Sequence, residues 1–224
     1  ALGERGHGDE REGGRQRAQV HGRRIPSGAG PPRPGTTFLI PDAPACEPGP
    51  VSAPSLTHAD LALHRDVLVA LNVEYMNWVC EGIERTFGLG PVEVLGAPVE
   101  AYVPGALEKV CLRPPDGTFY LASVDGAVAG MGGLRRLHGD VGEVKRVYVR
   151  SSARGRRLGD AIVERLLGDA RGMGLRHLVL DTGPFMTSAH RLYERLGFVD
   201  RGPYPETEVP PHLRARWRFM ERAP

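Results

Sequence analysis

One stretch of the chain constrains its fold more than any other. From Val141 to Val149 the residues read as a strand, which passes through Arg150-Ser-Ser-Ala into Arg154-Gly155-Arg156-Arg157-Leu158-Gly159. A helical stripe follows at once: Leu158, Ile162, Val163, Leu166, Leu167 and Ala170 recur at helical spacing, with Asp160, Glu164, Arg165 and Asp169 opposite. Gly172 and Gly174 stop that helix, and His177–Asp181 reads as a buried strand. Ala189, Leu192, Tyr193 and Leu196 mark one more short helix, ended at Gly197. A strand that enters a helix through an Arg/Gly turn aims several unpaired backbone N–H groups at one point. The helix dipole adds positive potential there, so the turn is an anion cradle suited to a pyrophosphate. Gly155 and Gly159 permit close backbone approach, and Arg154, Arg156 and Arg157 add side-chain donors.

The remaining elements fit around this unit. Leu61, Leu63, Val67, Leu68, Leu71, Tyr75, Trp78, Val79 and Ile83 predict a long helix with one buried face, loosened or ended by Gly82 and Gly88. Ala106–Leu112 reads as a second short helix before the Pro114-Pro115-Asp116-Gly117 turn. Phe119–Val124 and Ala127–Leu137 are strands joined by Asp125-Gly126, a strong hairpin signal, and the turn at His138-Gly139-Asp140 leads into the Val141 strand. Phe198-Val199 and Arg216–Met220 supply two late strands. Antiparallel strands, then strand–helix–strand–helix, then strands describe a mixed α/β domain over residues 56–224. Residues 1–55 differ in texture. Residues 1–35 carry almost no large apolar side chains and are expected to be disordered, with a short strand near 36–40 and a proline-rich linker to Pro54.

Composition excludes several functional classes. The 29 basic and 27 acidic residues leave a formal charge of +2, which gives no global field for nucleic acid or a membrane surface. Only Lys109 and Lys145 of the basic residues are lysines, so abundant arginine is weak support for phosphate binding by itself. No apolar run approaches the ~18 residues of a membrane-spanning helix. Cys46, Cys80 and Cys111 are odd in number and show no CxxC spacing, and the eight histidines show no HxxxH spacing. A reduced, cytoplasmic protein without a metal is expected. The chain has neither a P-loop nor a dinucleotide-binding glycine fingerprint. Asp181-Thr182-Gly183 spells an aspartic-protease motif, but it occurs once, and the flanking helices do not suit an all-β protease.

Residues 115–200 resemble the GNAT N-acetyltransferase superfamily, and the resemblance extends more loosely from Thr57 to Glu221. Arg154-Gly155-Arg156-Arg157-Leu158-Gly159 matches that family's acyl-CoA motif, [Q/R]-x-x-G-x-[G/A], except that Arg157 replaces the central glycine. The later family motif, an Ala, then a Tyr, then Gly-Phe, is present as Ala189, Tyr193 and Gly197-Phe198. The resemblance implies a GNAT-like fold: a mixed, mostly antiparallel sheet, with acetyl-CoA lodged where two central parallel strands splay apart. It implies cofactor contacts at Val147, Tyr148 and Val149, and a pyrophosphate on Arg154, Gly155, Arg156, Arg157, Leu158 and Gly159. Met186 stands where relatives commonly carry an Asn that touches the cofactor, so Thr187 or Ser188 is expected either to substitute or to cap the helix.

The same resemblance implies two catalytic residues. Glu143 holds the place of a general base that takes the amine's proton, directly or through water. Strand alternation puts Glu143, Lys145, Val147 and Val149 on one face. The plainer reading of Glu143 is an edge carboxylate paired with Lys145 or Arg146. Tyr193 matches a tyrosine that protonates the leaving thiolate of CoA, where periodicity alone would make it a core residue. The expected activity is transfer of an acetyl group from acetyl-CoA to a primary amine of a small molecule or peptide, by direct attack in a ternary complex. The alternative is a non-catalytic acyl-CoA-binding module on the same fold. Glu143, Asp181, Glu206 and Glu208 suggest a cationic acceptor, and the resemblance allows a homodimer.

Overall fold

Asp125-Gly126 closes its hairpin as the dipeptide demands, both residues taking left-handed φ of +52° and +77°. In the computed structural model, residues 53–224 are described. The turn joins β2 (Gly117–Val124) to β3 (Ala127–Arg136), with β1 (Ser55–His58) on the outer edge of β2 and β4 (Val141–Val149) antiparallel to β3. β5 (His177–Thr182), β6 (Val199–Arg201) and β7 (Arg218–Arg222) complete a seven-stranded sheet of order β1-β2-β3-β4-β5-β7-β6. Every neighbouring pair is antiparallel except β4 and β5. The helices are α1 (Leu61–Phe87), α2 (Pro91–Leu95), α3 (Val99–Val110), α4 (Leu158–Gly172) and α5 (Thr187–Arg195).

The mixed sheet with one parallel pair agrees with the sequence reading. The elements run slightly beyond their expected bounds: α3 begins seven residues before Ala106, and β1 and α2 carry no strong pattern. The segment expected to be disordered (1–35) and the strand expected near 36–40 lie outside the described residues. Among the described residues no helix is long and apolar enough to cross a membrane.

Apolar burial holds helices on both faces of the sheet. On one face Leu158, Ile162 and Leu166 of α4 are sealed against Leu134, Leu178 and Leu180. On the other, Leu68 and Leu71 of α1 and Leu107 of α3 pack on Phe119, Leu121 and Met131. Gly132 is what lets α4 settle onto β3, since a Cβ there would stand 2.4 Å from Ile162 Cγ2. Helix α1 continues through Gly82 and ends at Gly88, which takes φ +72°.

Two irregularities create the site. Parallel pairing of β4 with β5 is confined to Val141–His177, Gly142–Leu178 and Glu143–Val179, so the strands separate beyond Glu143. Strand β4 also carries a bulge. Gly133 pairs with Lys145 and Met131 with Tyr148, leaving Gly132 opposite both Arg146 and Val147, with Arg146 at φ +54°. The bulge corrects the expected alternation, because one extra residue inverts the phase of everything after it. Glu143 and Lys145 face the α1 side, whereas Val147 and Val149 pack towards α4.

Candidate active site

The turn before α4 has the strand–turn–helix geometry that its sequence predicts. A short 3-10 turn at Ser151–Ala153 delivers the chain into Gly155 (φ +80°) and Arg157 (φ +58°), and α4 starts at Leu158 with no side-chain cap. No backbone hydrogen bond engages the amides of residues 155–160 among the described residues, so six N–H groups are available at the positive end of a 15-residue helix. The left-handed backbone at Arg157 explains why glycine is the family's choice there. Its side chain does not crowd the turn, being 79% exposed.

A cleft of about 560 Å³ runs from this turn to the open edge of β4. Val147, Tyr148, Val149, Arg154, Gly155, Arg157, Leu158, Gly159 and Ser188, all expected cofactor contacts, line it. Arg156, also expected as a contact, is not among the residues lining the cleft. The twist imposed by Gly155 and Arg157 sends it away to Asp125 at 2.5 Å, leaving only its amide in the turn. Sequence reasoning missed Trp78, Asp160, Phe185 and Arg195, which also line the cleft. Phe185 reaches it because Gly82 leaves room, the ring lying 2.3 Å from where a Cβ would be. That contact joins residues about a hundred positions apart and has no local signal. The free amides, the unpaired edge of β4 and the basic side chains of Arg154, Arg157 and Arg195 fit a diphosphate with an extended pantetheine arm.

A second cavity of about 370 Å³ adjoins the first, and the two share Trp78, Val147, Met186 and Ala189 as walls. Glu143 and Tyr193 both line it. Tyr193 is 6% exposed, packs edge-on against Phe198 at 5.6 Å, and its hydroxyl makes no hydrogen bond to the described residues. Burial, and then Tyr75 and Asp181, push its phenol far above the usual 10. Tyr75, in the same cavity, is raised by burial to about 12.

Glu143 is 1% exposed and fully engaged. Arg135 Nη2 and Nε donate to Oε2 at 2.6 and 3.0 Å, and the Tyr204 hydroxyl donates to Oε1 at 2.6 Å. Tyr204 Oη also lies 3.0 Å from Asp181 Oδ2, so one phenol bridges two carboxylates. Burial, then Asp181 and Glu143, hold that phenol protonated far above its usual range. The pairing expected of Glu143 with Lys145 is loose, at 3.6 Å, and Arg146 turns elsewhere.

The acidic cluster expected to attract a cation is mostly neutralised. Glu208 lies 2.7 Å from Lys145 and 3.1 Å from Arg135. Burial raises its carboxyl, but the two cations outweigh burial and leave it below the ordinary range. Glu206 pairs with His138 at 2.6 Å and is not among the cavity's lining residues. Asp181 alone has only neutral neighbours: Trp217 Nε1 donates at 3.1 Å and Thr207 Oγ1 at 3.4 Å, while Tyr204 Oη lies 3.0 Å away with its one proton directed to Glu143. Among the described residues no group of His, Cys, Asp and Glu is arranged to hold a metal ion.

Comparison with known proteins agrees with this geometry. The model of the acetyltransferase (GNAT) family matches residues 91–198. An IAA acetyltransferase of Azospirillum brasilense is 39% identical over 99 residues, 44% of this chain and 65% of that one. The uncharacterized N-acetyltransferase YedL of Escherichia coli K12 is 32% identical over 111 residues, 49% of this chain and 70% of its own. The chain thus spans just under two thirds of the first relative and slightly more of the second. PaiA N-acetyltransferase of Thermoplasma acidophilum, solved with coenzyme A, superposes with a TM-score of 0.60 over 77% of this chain and all of its own. At 15% identity, that likeness speaks for the fold alone. On the matching family model, the relatives and the splayed β4–β5 pair, the chain belongs to the GNAT family of acetyltransferases.

Proposed function

We propose that this protein transfers the acetyl group of acetyl-CoA to a primary amine of a small molecule or peptide, by direct attack in a ternary complex. One observation carries the reading: the cofactor cleft and the second cavity meet across Val147, Met186 and Ala189, so a thioester in one can face an amine in the other. In this reading the pantetheine lies along Val147–Val149 and the diphosphate rests on the amides of Arg154 to Gly159. The catalytic domain spans residues 56–224, and the cytoplasm, where thiols stay reduced, is its compartment.

The chemistry follows from the side chains on the walls. An amine reaches the site protonated and must lose a proton before its lone pair can attack. Asp181, Tyr204 and Glu143 form the route by which that proton leaves. Nitrogen then bonds to the thioester carbonyl carbon while the C–S bond breaks and sulfur takes the electron pair. Tyr193 gives its proton to that sulfur. Burial keeps that phenol protonated at neutral pH, so it stands loaded as the donor. Of the two protons nitrogen loses, one balances the thiol and the other reaches solvent.

Calorimetry with CoA, paired with free-thiol release from acetyl-CoA across small amines, amino acids, antibiotics and peptide N-termini, tests this reading. CoA binding with turnover on at least one class, lowered sharply by Glu143→Gln, is expected. CoA binding with no thiol release from any class would leave a non-catalytic acyl-CoA module instead.

A further inference from the structure

Arg146 is a buried cation that no anion answers among the described residues. As the extra residue of the β4 bulge it holds a left-handed backbone, a conformation strained for a residue that carries a side chain. The residue is 9% exposed and lines the second cavity. Nη1 donates to Asn72 Oδ1 at 2.5 Å, and among the described residues no carboxylate lies within ion-pair distance. Asn72 is itself fully buried and fixed by donating to the Leu68 carbonyl at 2.8 Å, so its amide oxygen is held towards the guanidinium. One of five guanidinium N–H donors is thereby used. A sealed guanidinium without a counter-charge is costly, whereas one facing a ligand carboxylate gains a forked, charge-assisted pair.

The other charges of the cavity sharpen the argument. Lys145 and Arg135 are matched by Glu208 and Glu143. What remains uncompensated is one cation, Arg146, and one anion, Asp181, whose partners are all neutral. Much of the remaining wall is apolar, formed by residues such as Trp78, Ile83, Leu95, Leu213 and Trp217.

We propose, resting on the acetyl-transfer reading above, that the acceptor is an α-amino acid with an apolar side chain. Its carboxylate pairs with Arg146 and its ammonium group is received by Asp181 before proton loss. The acceptor cavity is therefore a zwitterion site rather than a polycation site, and Arg146 is its specificity residue.

Three probes test this: phenylalanine, phenylalanine amide and phenethylamine, which share an amine and a ring but not the carboxylate. Thiol release should favour phenylalanine over both others by about 100-fold in kcat/KM. Arg146→Gln and Arg146→Lys should erase most of that preference by lowering the phenylalanine rate far more than the phenethylamine rate, with a melting curve on each variant to confirm the fold. Titration of phenylalanine into the CoA-loaded protein provides a readout independent of turnover, binding to the wild type and not to Arg146→Gln. Transfer to all three probes without preference overturns the carboxylate site while leaving acetyl transfer standing. Phenylalanine binding that depends on Arg146, with no thiol release from any amine, overturns acetyl transfer while leaving the site. Neither transfer to nor binding of phenylalanine overturns the proposal outright.

Discussion

Replacing Tyr193 by Phe isolates the proposed proton donor from the packing that surrounds it. The ring keeps its edge-on contact with Phe198, and the hydroxyl that is lost makes no hydrogen bond to the described residues. Folding free energy should therefore change by no more than about 1 kcal/mol, a melting shift of roughly 2–4 °C for a domain of this size. Turnover should behave differently. A positioned proton donor contributes about 10²–10⁴-fold, or about 2.7–5.5 kcal/mol of barrier, so kcat should fall by that factor. KM for acetyl-CoA should stay within about twofold, because Tyr193 lines the acceptor cavity and not the cofactor cleft. Initial rates of thiol release at saturating acetyl-CoA, with a melting curve on the same preparation, give both numbers. A kcat within about threefold of wild type, or a loss matched by a collapse in melting temperature, would refute the assignment.

Gly132→Ala puts a methyl 2.4 Å from Ile162 Cγ2 and should cost about 1–3 kcal/mol by thermal denaturation; Ile162→Ala, which removes that methyl, should make the double variant less destabilised than the sum of the two. Tyr193 and Tyr204 hold their protons in the folded chain well above the pH near 10 at which unfolded tyrosine ionises. Above that pH the unfolded state therefore binds fewer protons, and denaturant midpoints should fall as pH rises beyond about 10 while showing no tyrosine-linked change below it. Burial raises the Cys111 thiol to about 11. At pH 8 only about one molecule in 10³ carries the thiolate, so peptide mapping should find Cys111 alkylated far more slowly in the native protein than in the denatured one.

The primary sequence by itself determined the elements whose causes are local. Asp125-Gly126 makes its hairpin from two residues that tolerate positive φ, and α4 announces itself by a stripe at helical spacing ended by glycines. The anion cradle is equally local, since a strand, an Arg/Gly turn and a helix N-terminus are consecutive in the chain. Most of the lining of the proposed cofactor cleft was legible for that reason. The second cavity, proposed to take the acceptor, was set by tertiary contacts. The bulge at Arg146 answers to the pairing of β3 with β4, and by shifting the phase it sends Glu143 and Val147 to opposite faces. Arg135, Tyr204 and Asp181 reach Glu143 or one another across 8, 61 and 23 intervening steps of sequence. Such contacts leave no periodicity to read. Which charges are cancelled and which stand open is a property of distances between strands, and those distances are fixed only when the apolar faces of α1 and α4 are buried against the sheet.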